Sequence, residues 1–183
     1  MGSCLIQSLT RDCGYQVEGV DEIHLLDYEN FGGFTFEGDG LSTTGVITEM
    51  RRDWKLIDVS APDATAKYSS TRQNGLYTHT LETFVPELSG EMQARLDLAA
   101  RRRFLPIFRG KNGRYFIFGW EAGATLTYTN QTDGGLGSLV TLEASSIHPL
   151  FEMTAQALHY WILDTGRWDM VKLWWNDEPW KWK

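Results

Sequence analysis

The chain has 183 residues, of which 42% are hydrophobic and 13% aromatic, and it carries a formal net charge of −7. This length supports one full hydrophobic core and argues against two independent domains, so we expect one domain with appendages. No apolar run approaches the roughly 20 residues of a membrane helix, and the first residues lack the basic start and long apolar stretch of a signal peptide. We therefore expect no membrane anchor and synthesis in a cytoplasm.

The first half of the chain is patterned for β-strands joined by tight turns. Gly, Asp and Asn clusters separate stretches rich in Val, Ile, Thr and aromatic residues, which favours strands. Asn74-Gly75 supplies the positive φ of a primed turn, so the stretches on its two sides are expected to form a hairpin. Residues 34–42 are rich in Gly and Asp and are expected to form a loop or irregular edge. The predicted strands are Val20–Tyr28, Thr44–Arg52, Trp54–Val59, Ala66–Thr71 and Leu76–Val85.

The strand Leu76–Val85 is long, and neither of its faces is wholly polar. Such a strand suits burial on one side and a partner on the other. One of its faces carries Tyr77, His79, Leu81, Thr83 and Val85.

One helix is predicted in the body of the chain, at about residues 89–103. Ser89 has the side chain of an N-cap, and Glu91 lies in the first turn, where the helix dipole favours an anion. Arg101–Arg103 are expected in the last turn, where the dipole favours cations. The face predicted to cover a sheet consists of Met92, Leu96, Ala99 and Ala100.

Two further strand pairs follow the helix, and then the pattern changes. Residues 110–113 form the turn of the clearest hairpin in the sequence. Pro149 ends the last predicted strand, and Glu152–Leu163 is compatible with a helix. The predicted strands in this half are Phe104–Arg109, Arg114–Trp120, Ala124–Thr129 and Ser138–Ala144.

The end of the chain is rich in tryptophan. Clustered aromatic side chains stack on sugars, bind another protein or pack on their own domain. We expect packing on the same or a neighbouring subunit, because so much exposed aromatic surface would otherwise aggregate, and carbohydrate stacking is the alternative. These tryptophans are Trp161, Trp168, Trp174, Trp175, Trp180 and Trp182.

Motifs for catalysis, cofactors and metals are absent from the sequence. There is no nucleophile elbow, phosphate-binding loop or dinucleotide fingerprint, and Gly134–Gly137 precedes no helix. The spacing of Cys4 and Cys13 matches no common zinc pattern, and the histidines are isolated from each other. We therefore predict no enzyme activity, no catalytic residues, no cofactor and no metal.

Charge is distributed unevenly along the chain. Residues 1–50 carry nine acids and one base (1 − 9 = −8), and residues 51–113 carry eleven bases and seven acids (11 − 7 = +4). Such regions are commonly ordinary solvated faces. The alternative is that the acidic face of one copy meets the basic face of another in a head-to-tail assembly.

The order of these features resembles a family. The stretches Gly75–Leu81 and Val85–Ser89, the helix ending in three arginines, the hairpin Ile107–Gly119 and the strand Leu139–Ala144 before Pro149 are together similar to tail tube proteins, also called major tail proteins, of tailed bacteriophages. The type is the one found in phages and prophages of Bacteroidetes-like hosts. The resemblance covers roughly residues 20–151.

The resemblance implies a mainly β fold, a tail-tube-like β-barrel or sandwich flanked by one helix. Hexameric rings would stack into the tube through which DNA leaves the capsid, without sequence-specific binding. The implied partners are further copies of the chain and other tail proteins (terminator, baseplate, tape measure and, for some tails, a sheath). The implied location is the virion tail, assembled in the host cytoplasm. An acidic bore would repel DNA phosphates and let the duplex slide.

The resemblance also suggests a division of the chain. Residues 1–151 would form the tail-tube-like domain, and residues 152–183 would form an extension that braces rings or meets a sheath. The stretch Ser60–Asn74 is expected to be a loop that makes the ring-to-ring contact, since loops off a rigid barrel are where such contacts usually lie. The candidates for that contact are Pro62, Lys67, Tyr68 and Arg72, and those for subunit or sheath contacts are Trp168, Trp174, Trp175, Trp180 and Trp182.

Two other classes of function stay open. A β-sandwich with a tryptophan platform would bind glycans as a monomer. A hydrolase would need two carboxylates held about 5–10 Å apart across a cleft, a geometry that sequence spacing does not reveal.

Overall fold

The computed structural model describes residues 19–38, 45–52, 55–59, 66–132 and 135–159. Within these residues the chain is mainly β, as predicted, and eleven strands form one hydrogen-bonded sheet that does not close on itself. The strands are β1 (Val20–Asp27), β2 (Phe31–Phe36), β3 (Val46–Arg52), β4 (Ile57–Val59), β5 (Lys67–Gln73), β6 (Leu76–Val85), β7 (Arg103–Gly110), β8 (Tyr115–Ile117), β9 (Ala124–Gln131), β10 (Gly137–Ser146) and β11 (Phe151–Met153).

Two helices accompany the strands. α1 (Gly90–Ala100) lies between β6 and β7, and the short α2 (Ala155–His159) follows β11. In the described part of the chain, no helix is long and apolar enough to cross a membrane.

The sheet folds into two layers that meet at β7. β7 pairs with β1 along one edge and with β8 along the other, and its first residues, Arg103 and Phe104, also pair with β9. The first layer has the order β4-β1-β7-β8-β11-β3-β2, and the second layer has the order β9-β10-β6-β5. All pairings are antiparallel except that of β11 with β3.

The main core fills the space between the two layers. Ile23 of β1 and Phe108 of β7 face Leu81 of β6 and Leu142 of β10, and all four side chains are buried. Strand side chains alternate between faces, so each strand contributes every second residue to this core. Burying each such side chain contributes about 1.5–3 kcal/mol. The predicted division of β6 into two faces is confirmed, and the structure shows that the face with His79, Leu81 and Thr83 is the buried one.

A second core lies on the other face of the first layer. Leu26, Ile107 and Ile117 are buried there, and Leu158 of α2 packs against them. The guanidinium Nη2 of Arg52 donates to the backbone oxygen of Leu158 at 3.1 Å, which ties β3 to the end of α2. The first layer is therefore covered on both faces.

α1 closes one end of the main core. The Oγ of Ser89 accepts a hydrogen bond from the backbone N–H of Met92 at 3.1 Å, so the predicted N-cap is confirmed. Leu96 is buried, whereas Ala100 is exposed. The helix ends at Ala100, before the predicted last-turn arginines, because Arg103 already pairs with Thr125 in the sheet.

Other element boundaries also differ from the sequence predictions. The first residues of the expected loop 34–42 belong to β2, an edge strand in which Gly is tolerated. Glu152 lies in β11 and not in a helix, because Phe151 and Met153 on either side of it are buried in strand alternation. Packing of the β domain thus continues past residue 151 to Leu158.

Candidate functional site

The second layer exposes a polar outer face. Its inner residues pack in the main core, and the alternate residues of β9, β10, β6 and β5 point away from it. Threonine dominates this face, which we call the open face. Its members in the described residues are Thr125, Thr127, Thr129 and Gln131 of β9; Leu139, Thr141, Glu143 and Ser145 of β10; Leu76, Thr78, Thr80, Glu82 and Phe84 of β6; and Lys67, Ser69, Thr71 and Gln73 of β5.

Strand register places these side chains in rows across the layer. Two threonines bond to the neighbouring strand: the Oγ1 of Thr125 donates to the backbone oxygen of Glu143 at 3.2 Å, and that of Thr127 to Thr141 at 3.5 Å. These bonds hold the two threonine side chains against the neighbouring strand. The two central rows are Thr125, Glu143, Thr80 and Ser69, and Thr127, Thr141, Glu82 and Lys67.

The open face carries little charge. Glu82 and Glu143 are its acids, and Lys67 is its base, which lies opposite Glu82 in the strand register. The sum for these described residues is 1 − 2 = −1 per copy. The face is therefore weakly acidic and mostly neutral.

The second layer also ends in two edges without a strand partner in the described residues. β5 pairs only with β6, and β9 pairs with β7 only at Ala124 and Thr125, so its backbone from Leu126 onward has β10 as its sole strand neighbour. α1 reaches β9 through inner-face side chains: the hydroxyl of Tyr128 donates to Asp97 at 2.5 Å.

The turn that follows β5 determines which backbone N–H groups of β5 bond to β6 and which point to the free edge. Asn74 and Gly75 have φ values of 52° and 85°, as in the primed turn predicted from the sequence. In a two-residue hairpin the flanking residues exchange both backbone hydrogen bonds, and such pairs alternate along the strands. Gln73 and every second residue before it therefore bond to β6. The backbone N–H groups of Tyr68, Ser70 and Arg72 point to the free edge.

A buried histidine holds β5 in place. His79 is fully buried; its Nδ1 lies 2.8 Å from the hydroxyl of Tyr68, and its Nε2 lies 3.2 Å from the backbone oxygen of His148. A carbonyl only accepts, so Nε2 carries the proton and Nδ1 accepts from Tyr68. Burial lowers the pKa of His79, with the His148 carbonyl and the charge of Glu121 acting in the opposite direction. His79 is therefore neutral in the folded chain at neutral pH.

A charged cluster lies on the second-core face of the first layer. His24 Nδ1 is 2.6 Å from Asp58 Oδ1, and Glu22 accepts from the hydroxyl of Tyr115 at 3.2 Å and pairs with Arg109 at 2.7 Å. Burial, followed by the charge of Glu22, raises the pKa of Tyr115, so its hydroxyl stays protonated and donates. The described groups of this cluster are carboxylates, an imidazole, a phenol and a guanidinium, so the cluster is a network of ion pairs and hydrogen bonds.

Metal ligands do not converge in the described part of the chain. No group of three or more His, Cys, Asp or Glu side chains there has a geometry that could hold a metal ion.

The residues proposed from the sequence for a ring-to-ring contact do not lie together on one loop. Lys67, Tyr68 and Arg72 belong to β5, with Lys67 on the open face and Tyr68 packed inward against His79. The guanidinium of Arg72 lies 5.3 Å from the ring centre of Tyr77. Pro62 and the five tryptophans proposed for subunit or sheath contacts lie outside the described residues.

Sequence reasoning missed the open face and its two free edges. The signal was the alternation Thr125-Leu126-Thr127-Tyr128-Thr129, which marks a strand with one polar side.

Comparisons of the chain with protein-family models, curated proteins and solved structures give no match.

Proposed function

We propose that this chain is a structural protein that forms closed rings through the free edges of its second layer, and that the rings stack into a tube of the phage-tail type. The observation that carries the proposal is that, among the described residues, the second layer has an uncovered polar face and two strand edges without a strand partner. Pairing β5 of one copy with β9 of the next satisfies both edges and repeats around a rotation axis.

The edges of the first layer are less suited to such pairing. β2 has register shifts between Phe31 and Gly33 and between Thr35 and Phe36, and β4 has only three residues. Bulges and short length are the features by which proteins blunt an edge. β5, in contrast, keeps a regular register with β6 over seven residues. Regular pairing is therefore favoured on the second layer.

The dimensions agree with a DNA conduit. Hexameric rings of this four-stranded layer would give a barrel of about 24 strands. At a strand spacing of about 4.8 Å and a tilt of about 40°, its backbone would be roughly 48 Å across, which leaves room for a duplex within the side chains. In such a barrel the open face lines the bore. Its one described base, Lys67, lies opposite Glu82, and the slight net negative charge of the face would weaken any hold on phosphates.

The proposal is tested by blocking the free edge of β5 in the full-length protein. Ser70→Pro removes an N–H that points to the free edge without removing a β6 hydrogen bond, and Ser70→Ala is the matched control that keeps the N–H. Negative-stain electron microscopy and light scattering would show rings or tubes for the wild type and for Ser70→Ala, and monomers for Ser70→Pro. Assembly of Ser70→Pro equal to that of the wild type would refute pairing through β5.

A monomeric wild-type protein would refute spontaneous ring formation and favour the glycan-binding alternative. That alternative depends on tryptophans outside the described residues, and a change in tryptophan fluorescence on adding oligosaccharides would identify it.

A further inference from the structure

An apolar cavity opens under α1. Its volume is about 760 Å³, which is in the range of pockets that bind ligands or side chains from a partner. The cavity lies between the inner side of the helix and strands of both layers. Its apolar wall includes Leu25, Val59, Met92, Leu96, Leu126 and Leu142.

The mouth of this cavity is apolar as well. Leu98 of α1 and Ile57 of β4 line it and are 59% and 50% exposed. Two large exposed side chains at the entrance of an apolar cavity make a continuous apolar surface, which marks an interaction site.

One buried polar atom in the wall has no partner. Thr83 lines the cavity and is fully buried, and its Oγ1 makes no hydrogen bond within the described residues. An unsatisfied buried hydroxyl costs about 1–3 kcal/mol. An occupant that brings a hydrogen-bond donor into the cavity would recover this energy.

The rim adds a charge preference. Arg95 pairs with Glu91 and Arg102 pairs with Asp27, so both arginines at the cavity are already neutralised. Glu87 accepts a hydrogen bond from the Ser89 hydroxyl, and its carboxylate forms no ion pair in the described part of the chain. The rim therefore favours an occupant with a positive charge beside its apolar groups.

We propose that the cavity binds the C-terminal segment of this chain around Trp180 and Trp182. An indole is a large apolar group with one N–H that needs an acceptor when buried, and Thr83 Oγ1 supplies it. Lys181 and Lys183 alternate with these tryptophans and complement Glu87. Residues 1–18 contain no tryptophan, so they lack an indole donor. This inference is independent of ring formation.

The C-terminal segment is long enough to reach the cavity of its own copy or that of a neighbouring copy. The 24 residues after His159 span up to about 80 Å when extended, and a domain of this size is roughly 40 Å across. Binding within one copy and between copies are both accessible to it.

The test measures binding of a fluorescent peptide of residues 176–183 to a full-length variant that carries Trp180→Ala and Trp182→Ala. In this variant, called the vacated protein, the chain's own segment should no longer occupy the cavity. Fluorescence anisotropy is expected to show saturable binding to this variant, and binding at least tenfold weaker to the wild type, whose own segment competes. Adding Thr83→Val or Leu98→Gln to the vacated protein is expected to weaken peptide binding about tenfold. Ile147→Gln is the matched control, since Ile147 is 62% exposed and does not line the cavity.

Two results would overturn the proposal. One is absence of saturable peptide binding to the vacated protein. The other is an equal loss of binding from Leu98→Gln and Ile147→Gln, which would place the contact elsewhere. A peptide of residues 1–18 is measured in parallel, and binding of that peptide in place of 176–183 would assign the cavity to the other end of the chain.

Discussion

Acidification should destabilise the folded chain through His79. The ring is fully buried and neutral, and burial lowers its pKa from the ordinary value of 6.5. Below pH 6.5 the unfolded chain therefore binds a proton that the folded chain does not, so stability falls as pH falls toward the folded pKa. Between those two values the loss is about 1.4 kcal/mol per pH unit.

Urea denaturation between pH 7.5 and 5.5 measures this loss. At pH 7.5 both states are largely neutral at this position, and at pH 5.5 the wild type should have lost stability through this group, by at most about 1.4 kcal/mol. His79→Gln is the control, because its amide retains a donor for the His148 carbonyl and an acceptor for Tyr68 while it does not titrate. Other titrating groups contribute equally to both proteins. Equal pH slopes for the wild type and His79→Gln would refute the reasoning.

Two further substitutions test the helix cap and the close approach of strands. Ser89→Ala removes the acceptor for the Met92 N–H and should cost about 0.5–2 kcal/mol in urea denaturation, whereas Ser89→Asp should retain most of the stability. Gly137→Ala would drive a Cβ into the backbone oxygen of Val85 and the ring of Phe84, and overpacking of this kind costs about 1–3 kcal/mol. Gly90→Ala is its control, because a Cβ there meets nothing within 4 Å and the melting temperature should not fall.

Local signals made much of the fold predictable. The Asn74-Gly75 turn and residues 110–113 fix two hairpins by backbone geometry alone, and Ser89 marks the start of α1. Alternation along β6 placed His79 on one face with Leu81 and Thr83, and the structure buries all three. Each of these features depends on residues close together in the sequence.

Features that depend on distant residues were not predictable. β11 pairs in parallel with β3, more than a hundred residues earlier, so nothing near Phe151 revealed that it would form a strand. The alternation of Thr125, Thr127 and Thr129 showed a polar side of β9, but which side stays uncovered depends on how the two layers pack. The cavity under α1 likewise requires strands of both layers, and no sequence window contains it.

The two buried cores lie apart from the strand edge that the proposed ring assembly would use. Both cores pack on the first layer, and the second layer gives its inner face to one of them. β5 contributes few side chains to the core: Tyr68 is its half-buried residue, and its other residues are exposed. Replacing an exposed β5 residue with proline therefore removes little packing but blocks an edge. A loss of rings without a loss of stability in Ser70→Pro is the outcome that this separation requires.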